Sequence, residues 1–488
     1  MKPEYSEPQL PPNSTRQSVD DDERKALISP EDRRFDDVHY DEEETAELGP
    51  PPTRSRRCLV FSVLFFSLLL LSIAIPVQRF FWGPSKTTAK PQLKTQGLLN
   101  NGTHDFKKTA IIVSIDGLRA DYLDRGLTPH LLAISKDGLR AKSMQPVFPT
   151  LTFPNHWALM TGLYVESHGI VANNFWDPAT QREFHYNRIE STWVSEWWYG
   201  EPMWETAERA GVRTANLMWP GPPKTTSGAS PTYFVPWKEK LDQILSWIDM
   251  PIETRPQFIM AYEPSLDQAG HLTGPTSKLV NKVLKQVDVF ARDLHDEIEA
   301  RNLTDIVDIV FVSDHGMTDT SHPELIFIDD VLGAGYAHIA HEDGWPAMGL
   351  RFDTPEHTDT YLAVLRNASR ASGGKFDVYT HATMPARWHF SENPRIAPVY
   401  VVPRIGYALT DRAENGSGMN KGSHGYDNSY KEMHAMFVAH GPFSSVVKAV
   451  EADRIQAASS SPARRLAASI LGRDLARPTR AGTRRRTT

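Results

Sequence analysis

Three aspartates and three histidines in this 488-residue chain are placed as metal ligands would be. Asp116 closes an apolar run in Ser114-Ile-Asp-Gly-Leu-Arg119, and Asp314 and His315 close another in Ser313-Asp-His-Gly-Met317. Asp267 and His271 stand four apart in Leu266-Asp-Gln-Ala-Gly-His271, so on a helical turn they share one side. His424 lies in Gly422-Ser-His-Gly-Tyr-Asp427. Singly, an aspartate at a strand end is more often a cap or turn residue, and a lone histidine more often a surface or core residue. Together, imidazole and carboxylate suit zinc better than calcium or magnesium, which favour all-oxygen shells. Six ligands are too many for one catalytic zinc and about right for two. A pair of ions about 3.5–4 Å apart can stabilise both the attacking and the leaving oxygen of a displacement at phosphorus.

A nucleophile for that displacement is offered by Thr152, in Pro149-Thr-Leu-Thr-Phe-Pro-Asn-His156. A threonine hydroxyl is weak at its own pKa, and metal coordination would activate it. The plainer alternative is a proline-bounded loop with a capping threonine, followed by a helix carrying Trp157 to Thr161.

These residues need a scaffold. Thr109–Ile115 (TAIIVSI) reads as a buried strand, and Phe258–Tyr262, Asp308–Ser313 and Ala435–Ala439 look alike. Leu279, Val283, Leu284, Val287, Phe290, Leu294 and Ile298 recur at helical spacing on one face. Val- and Ile-rich strands separated by amphipathic helices predict an α/β fold, with a mostly parallel central sheet covered on both sides. In such sheets active sites form beyond the carboxyl ends of the strands, where the polar clusters fall here.

Ahead of this region lies a different kind of chain. Residues 1–57 are acidic and rich in Pro and Ser, a composition that predicts a disordered tail. Cys58 to Val77 runs about 20 residues without a charge, the length of a membrane-spanning helix. Arg54, Arg56 and Arg57 precede it and only Arg79 lies close after it, so residues 1–57 are expected in the cytoplasm and the rest outside. This is a type II signal anchor in the lipid bilayer, followed by a polar stem over 78–106. Sequons at Asn101, Asn302, Asn367 and Asn415 all follow the span, while Asn13 precedes it and should be unused. Glu23 to Ile28 has the form of an acidic dileucine sorting signal. Cys58 is the sole cysteine, which excludes an intrachain disulfide, and the net charge of −7 gives no reason to expect nucleic-acid binding.

In order along the chain, Ser-Ile-Asp-Gly, Pro-Thr-x-Thr-Phe-Pro-Asn-His, Thr-Gly-Leu-Tyr-x-Glu-Ser-His-Gly-Ile, Trp-Pro-Gly, Asp-x-x-Gly-His, Ser-Asp-His-Gly-Met and His-Gly-x-Asp-Asn appear. From about Lys107 to Phe443 the chain thereby resembles the nucleotide pyrophosphatase/phosphodiesterase family of the alkaline phosphatase superfamily, in a fungal-like type II membrane form. The resemblance implies an alkaline phosphatase-like catalytic domain over 107–446. It implies one zinc on Asp267, His271 and His424, and another on Asp116, Asp314 and His315 that touches the nucleophile Thr152. It also implies that Asn173 hydrogen-bonds a non-bridging phosphate oxygen, and that Phe153, Trp219 and Trp237 flank the nucleotide. Core packing is the alternative role for Trp219 and Trp237, and relatives usually show Tyr-Asn where this chain has Trp237-Lys238.

The implied reaction releases nucleoside 5′-monophosphates from nucleoside triphosphates, dinucleotides and 5′-nucleotide diesters through a phosphothreonine intermediate. Another superfamily enzyme acting on phospholipid or glycolipid diesters, or a non-catalytic cell-surface relative, is the alternative. Two departures stand out. Ser265-Leu266 separates Glu263-Pro264 from Asp267, where many relatives run Glu-Pro directly into Asp. Residues 447–488 read as a disordered or aberrant tail, with nine arginines, no lysine and no aromatic after residue 453.

Overall fold

The run Thr109–Ile115 forms the middle strand of a seven-stranded sheet. In the computed structural model, the residues described are 97–460 except 237, 417 and 418. The expected cytoplasmic tail, the apolar run Cys58–Val77, most of the expected stem, Trp237 and residues 461–488 lie outside them. Among the described residues, no helix is long and apolar enough to cross a membrane.

Across the sheet the strands run Leu139–Arg140, Phe437–His440, Val307–Val312, Thr109–Ile115, Phe258–Glu263, Thr214–Leu217 and Tyr233–Val235. The last five are parallel, which agrees with the sequence reading. Phe437–His440 is antiparallel to Val307–Val312, with Val312 opposite Phe437, and Leu139–Arg140 is antiparallel to it in turn. The reason is the route of the chain. It reaches Phe437 from the loop holding His424, already at the carboxyl end of the parallel strands, and so can only run back.

The registers bring the strand ends level. Val312 pairs with Ser114 and Ser114 with Tyr262, so Asp116, Asp314 and the Glu263–Asp267 segment emerge along one edge. One face of the sheet is covered by the helix Lys278–Ala300, which Ser277 caps by accepting from Val280 N–H at 3.1 Å. The helix buries Val280, Val283, Leu284, Val287, Leu294 and Ile298 against Ile111, Val113 and Ile115, at roughly 1.5–3 kcal/mol per side chain. Of the expected stripe, Leu279 and Phe290 are only partly buried, and Val280 and Ala291 take the deeper positions. Asp288, buried on the same helix, accepts from the N–H groups of His130 and Leu131 and so completes the start of helix Pro129–Asp137.

The opposite face carries an aromatic core that includes Trp157, Trp204, Trp219 and Trp388. Between Val312 and Phe437 the chain also builds an antiparallel sheet of Ile339–Asp343, Met348–Phe352, Val399–Pro403 and Phe376–Tyr379, backed by helix Pro355–Ala371. Two expected boundaries differ. The end of the stem folds as a small hairpin, Leu99–Asn100 with Asp105–Phe106, whose buried Phe106 lies under the Arg255 guanidinium. At the other end, helix Pro442–Ser460 crosses residue 446, so the first part of the expected tail is helical. The stretch from Phe443 to Ser461 has no glycine or proline, and Pro462 stands just past the helix end.

Candidate metal and phosphoryl-transfer site

All six predicted metal ligands converge with Thr152 at the carboxyl edge of the parallel strands. His271 Nε2 lies 3.2 Å from Asp267 Oδ2 and 3.1 Å from His424 Nε2, and His424 Nε2 lies 3.5 Å from Asp267 Oδ1. His315 Nε2 lies 3.3 Å from Asp116 Oδ1, 3.0 Å from Asp314 Oδ2 and 3.2 Å from Thr152 Oγ1. A tetrahedral zinc with bonds of about 2.0–2.1 Å spaces its ligand atoms by about 3.3 Å, which the three edges of the first set and the His315 distances of the second approach. The two sets adjoin: the His315 and His424 rings stack at 3.5 Å, and Asp267 also lies within 4.8 Å of the ligand atoms of Asp116 and His315.

Local structure turns each ligand inward. His271, His315 and His424 hold their Nδ1 atoms at 2.8–2.9 Å from the carbonyls of Gly422, Gly316 and Thr150. Nδ1 is therefore the donor, and Nε2 keeps its lone pair for a cation. Ser265 and Leu266, the extra residues before Asp267, form the first turn of helix Ser265–Thr273, which keeps Asp267 and His271 on one side. Thr150 ties the His424 loop down, donating to Tyr426 O and accepting from Gly425 N–H.

The electrostatics call for a cation. Asp116 Oδ1, Asp267 Oδ1 and Asp314 Oδ2 are buried acceptors without hydrogen-bond partners. Burial, then the charges of Asp314 and Asp267, push the Asp116 carboxyl well above its ordinary range. Burial also opposes ionisation of Asp267, but His271, His424 and His315 together outweigh it and hold that carboxyl at about 2. Asp314 is likewise held low, His315, His156 and His424 together overcoming burial, while burial and then His315 push His424 down to about 3. Divalent cations would neutralise this crowd of buried like charges. On these grounds the donor set fits zinc.

Thr152 is the first residue of helix Thr152–Thr161, at the positive end of its dipole. The N-cap is Leu151 and no side chain caps the helix, so the Thr152 hydroxyl is not spent on capping. Asn155 fixes the approach by accepting from Val147 N–H and donating to Pro149 O and Leu151 O. Asn173 lies next to Thr152, its Oδ1 accepting from Phe153 N–H at 3.0 Å, which leaves its amide NH2 as the donor end. Phe153 is half-buried among Phe184, Tyr186 and Trp198.

Trp219 sits differently from the expected nucleotide-flanking position. It is 3% exposed and packs edge-on against the His156 ring at 5.2 Å, so in this structure it presents no open face to a base. Trp237 lies outside the described residues. Two residues given no role by the sequence reading support the site. His156 bridges Ser114 Oγ at 2.9 Å and Thr152 O at 2.8 Å, with Nδ1 3.4 Å from Asp314 Oδ2. Tyr262 donates a short hydrogen bond to Asp116 Oδ2. Its one signal in the sequence is position, at the end of the strand beside the one that Asp116 closes.

The family profile described as type I phosphodiesterase / nucleotide pyrophosphatase matches residues 110–427. The chain belongs to that family. It is 41% identical over 358 residues to an uncharacterized pyrophosphatase/phosphodiesterase of Schizosaccharomyces pombe, covering 71% of this chain and 73% of that one. It is 36% identical to human ectonucleotide pyrophosphatase/phosphodiesterase family member 1, covering 68% of this chain but 37% of that protein, so it spans under half of that longer relative. Among solved structures it resembles murine ectonucleotide pyrophosphatase/phosphodiesterase 5 with a TM-score of 0.63 and 32% identity, over 69% of this chain and 88% of that one. A second structure of the murine protein, an inactive threonine-to-alanine variant in complex with AMP, matches with a TM-score of 0.62 at 31% identity, covering 69% of this chain and 88% of that one.

Proposed function

We propose that this chain hydrolyses nucleotide phosphodiester and pyrophosphate bonds through a phosphothreonine intermediate on Thr152, releasing nucleoside 5′-monophosphates. The observation that carries the reading is the adjacency of two Asp/His sets at ligand spacing, with the Thr152 hydroxyl 3.2 Å from His315 of one of them. Asp267, His271 and His424 would hold one zinc, and Asp116, Asp314 and His315 the other. When bound, the ions supply positive charge that lowers the pKa of the threonine hydroxyl and offsets charge on the leaving oxygen.

The chain's own residues do the rest. Thr152 Oγ1 forms the new bond to phosphorus as the bond to the leaving group breaks; water then attacks the phosphothreonine, freeing the monophosphate and the threonine. The amide NH2 of Asn173 donates to a non-bridging oxygen, on which charge accumulates. Phe153 offers an apolar surface to the nucleoside. The murine complex with AMP, seen in a threonine-to-alanine variant called inactive, accords with a nucleotide substrate and a threonine nucleophile.

Diesters are favoured over monoesters. A dianionic monoester is commonly clamped by an arginine beside the nucleophile, whereas Thr152 is flanked by Leu151, Phe153 and Pro154. Arg119 is occupied by Met317 O and Asp121. Thymidine 5′-nitrophenyl phosphate should therefore turn over far faster than nitrophenyl phosphate, with about two zinc ions per chain held by the catalytic ligands. Thr152→Ala should remove nearly all turnover while retaining zinc. Faster monoester hydrolysis would overturn the reading. The catalytic unit is proposed to lie outside the cytoplasm, anchored through residues 58–77; protease digestion of sealed vesicles would contradict this if cytoplasmic protease removed the catalytic unit.

A further inference from the structure

Away from the catalytic cleft, His338, Asp353 and His357 meet where strands Ile339–Asp343 and Met348–Phe352 run into helix Pro355–Ala371. His338 Nδ1 lies 2.9 Å from Asp353 Oδ2, and His357 Nδ1 lies 2.5 Å from Asp353 Oδ1. The two imidazoles face each other with ring centroids 3.8 Å apart. We propose that these three side chains form a further site for a divalent ion of the zinc class, separate from the catalytic ligands.

The backbone holds the ligands in place before any ion arrives. Asp353 N–H donates to His338 O at 3.0 Å, extending the strand ladder that pairs Ile339 with Phe352. Thr354 caps the helix by accepting from His357 N–H at 3.1 Å, which sets His357 one turn beyond Asp353. Three ligands thus come from the end of a short 3-10 helix just before a strand, a strand-to-helix junction and a first helical turn rather than from a long loop. Two imidazole nitrogens and one carboxylate suit zinc, and an oxygen-preferring ion such as magnesium does not match them.

Between a bare and a loaded site the change is small. Without an ion, each Nδ1–H donates to its own oxygen of the carboxylate. An ion takes the Nδ1 lone pairs once each ring moves its proton to Nε2, so no proton need leave the protein. The ligand atoms must spread from 2.5–2.9 Å to about 3.3 Å. All three side chains are about a third or more exposed (33–44%), which permits that movement and admits water to the remaining coordination position. The ion would pin the start of helix Pro355–Ala371 to the edge of its sheet.

The test is equilibrium dialysis of the protein, with its catalytic ligands intact, against micromolar zinc chloride, followed by elemental analysis. The wild type should hold one ion more per chain than His338→Gln, His357→Gln or Asp353→Asn, with turnover of a nucleotide diester unchanged in all three. Zinc should also raise the thermal midpoint of the wild type by more than that of the variants. Three substitutions at different positions guard against one that misfolds, and diester turnover reports folding independently of the metal count. Equal zinc content in the wild type and the variants would overturn the proposal and leave a histidine–carboxylate–histidine triad held by hydrogen bonds alone.

Discussion

Removing the guanidinium of Arg395 should unfasten the loop that carries Asn173. Arg395 is 2% exposed, and its Nε donates to Asp177 Oδ2 at 3.0 Å. Its Nη atoms donate to the carbonyls of Gly169, Trp197 and Glu196, and the guanidinium lies 4.2 Å from the Tyr199 ring centroid. Gly169, four residues before Asn173, has φ +77°, and a Cβ there would meet Tyr199 at 2.6 Å, so no other residue fits this turn without movement. Arg395→Met leaves the buried Asp177 carboxylate without its counter-ion and three carbonyls without donors, a loss of about 3–5 kcal/mol. For a domain of this size that lowers the thermal midpoint by on the order of 5 °C. Adding Asp177→Asn removes the stranded charge, so the double variant should be more stable than Arg395→Met alone, with a coupling of about 1–3 kcal/mol. Urea unfolding of the wild type, both single variants and the double variant measures the cycle. A cost below about 1 kcal/mol for Arg395→Met, or strict additivity, would refute the reasoning.

Tyr262→Phe removes the donor that orients Asp116, so zinc affinity should fall about 10–100-fold with little loss of stability; competition with a graded chelator measures this, and wild-type retention would remove Tyr262 from the account. Burial, opposed by Arg351, holds the Asp343 carboxyl at about 6, above its ordinary 3.8. Because the folded value is the higher one, the native state binds the proton more tightly, and this group's contribution falls as pH rises from about 4 to about 6. Asp343→Asn keeps the acceptor for Trp176 N–H and should remove that slope, worth at most about 3 kcal/mol; urea midpoints across the window that fall as in the wild type would contradict it.

The convergence of the six candidate ligands was readable because their positions follow from topology. Asp116 and Asp314 each stand just past a Val- and Ile-rich run, and parallel register brings such ends level. Asp267 and His271 needed only helical spacing. What was not readable depends on contacts distant in sequence. Trp219 lies in a motif that suggested a nucleotide contact, yet His156 covers it, and no local pattern shows which side of a tryptophan is covered. Phe437–His440 has the composition of its parallel neighbours, and only the route of the preceding loop reverses it. The sheet behind helix Pro355–Ala371 escaped notice because its strands are four or five residues long and separated by irregular chain. In the helix past residue 446, Phe443, Val446 and Val450 recur at helical spacing but stay exposed, and the Ala- and Arg-rich chain after them carries no continuing apolar stripe.

The central claim, that Thr152 is transiently esterified by the substrate, is tested most directly by stereochemistry at phosphorus. A nucleoside 5′-phosphorothioate diester of one configuration would be hydrolysed in isotopically labelled water, and the configuration of the product determined. Two successive in-line displacements, on Thr152 and then by water, each invert the centre, so the account predicts net retention. Net inversion would mean that water attacks the substrate directly, and would contradict it.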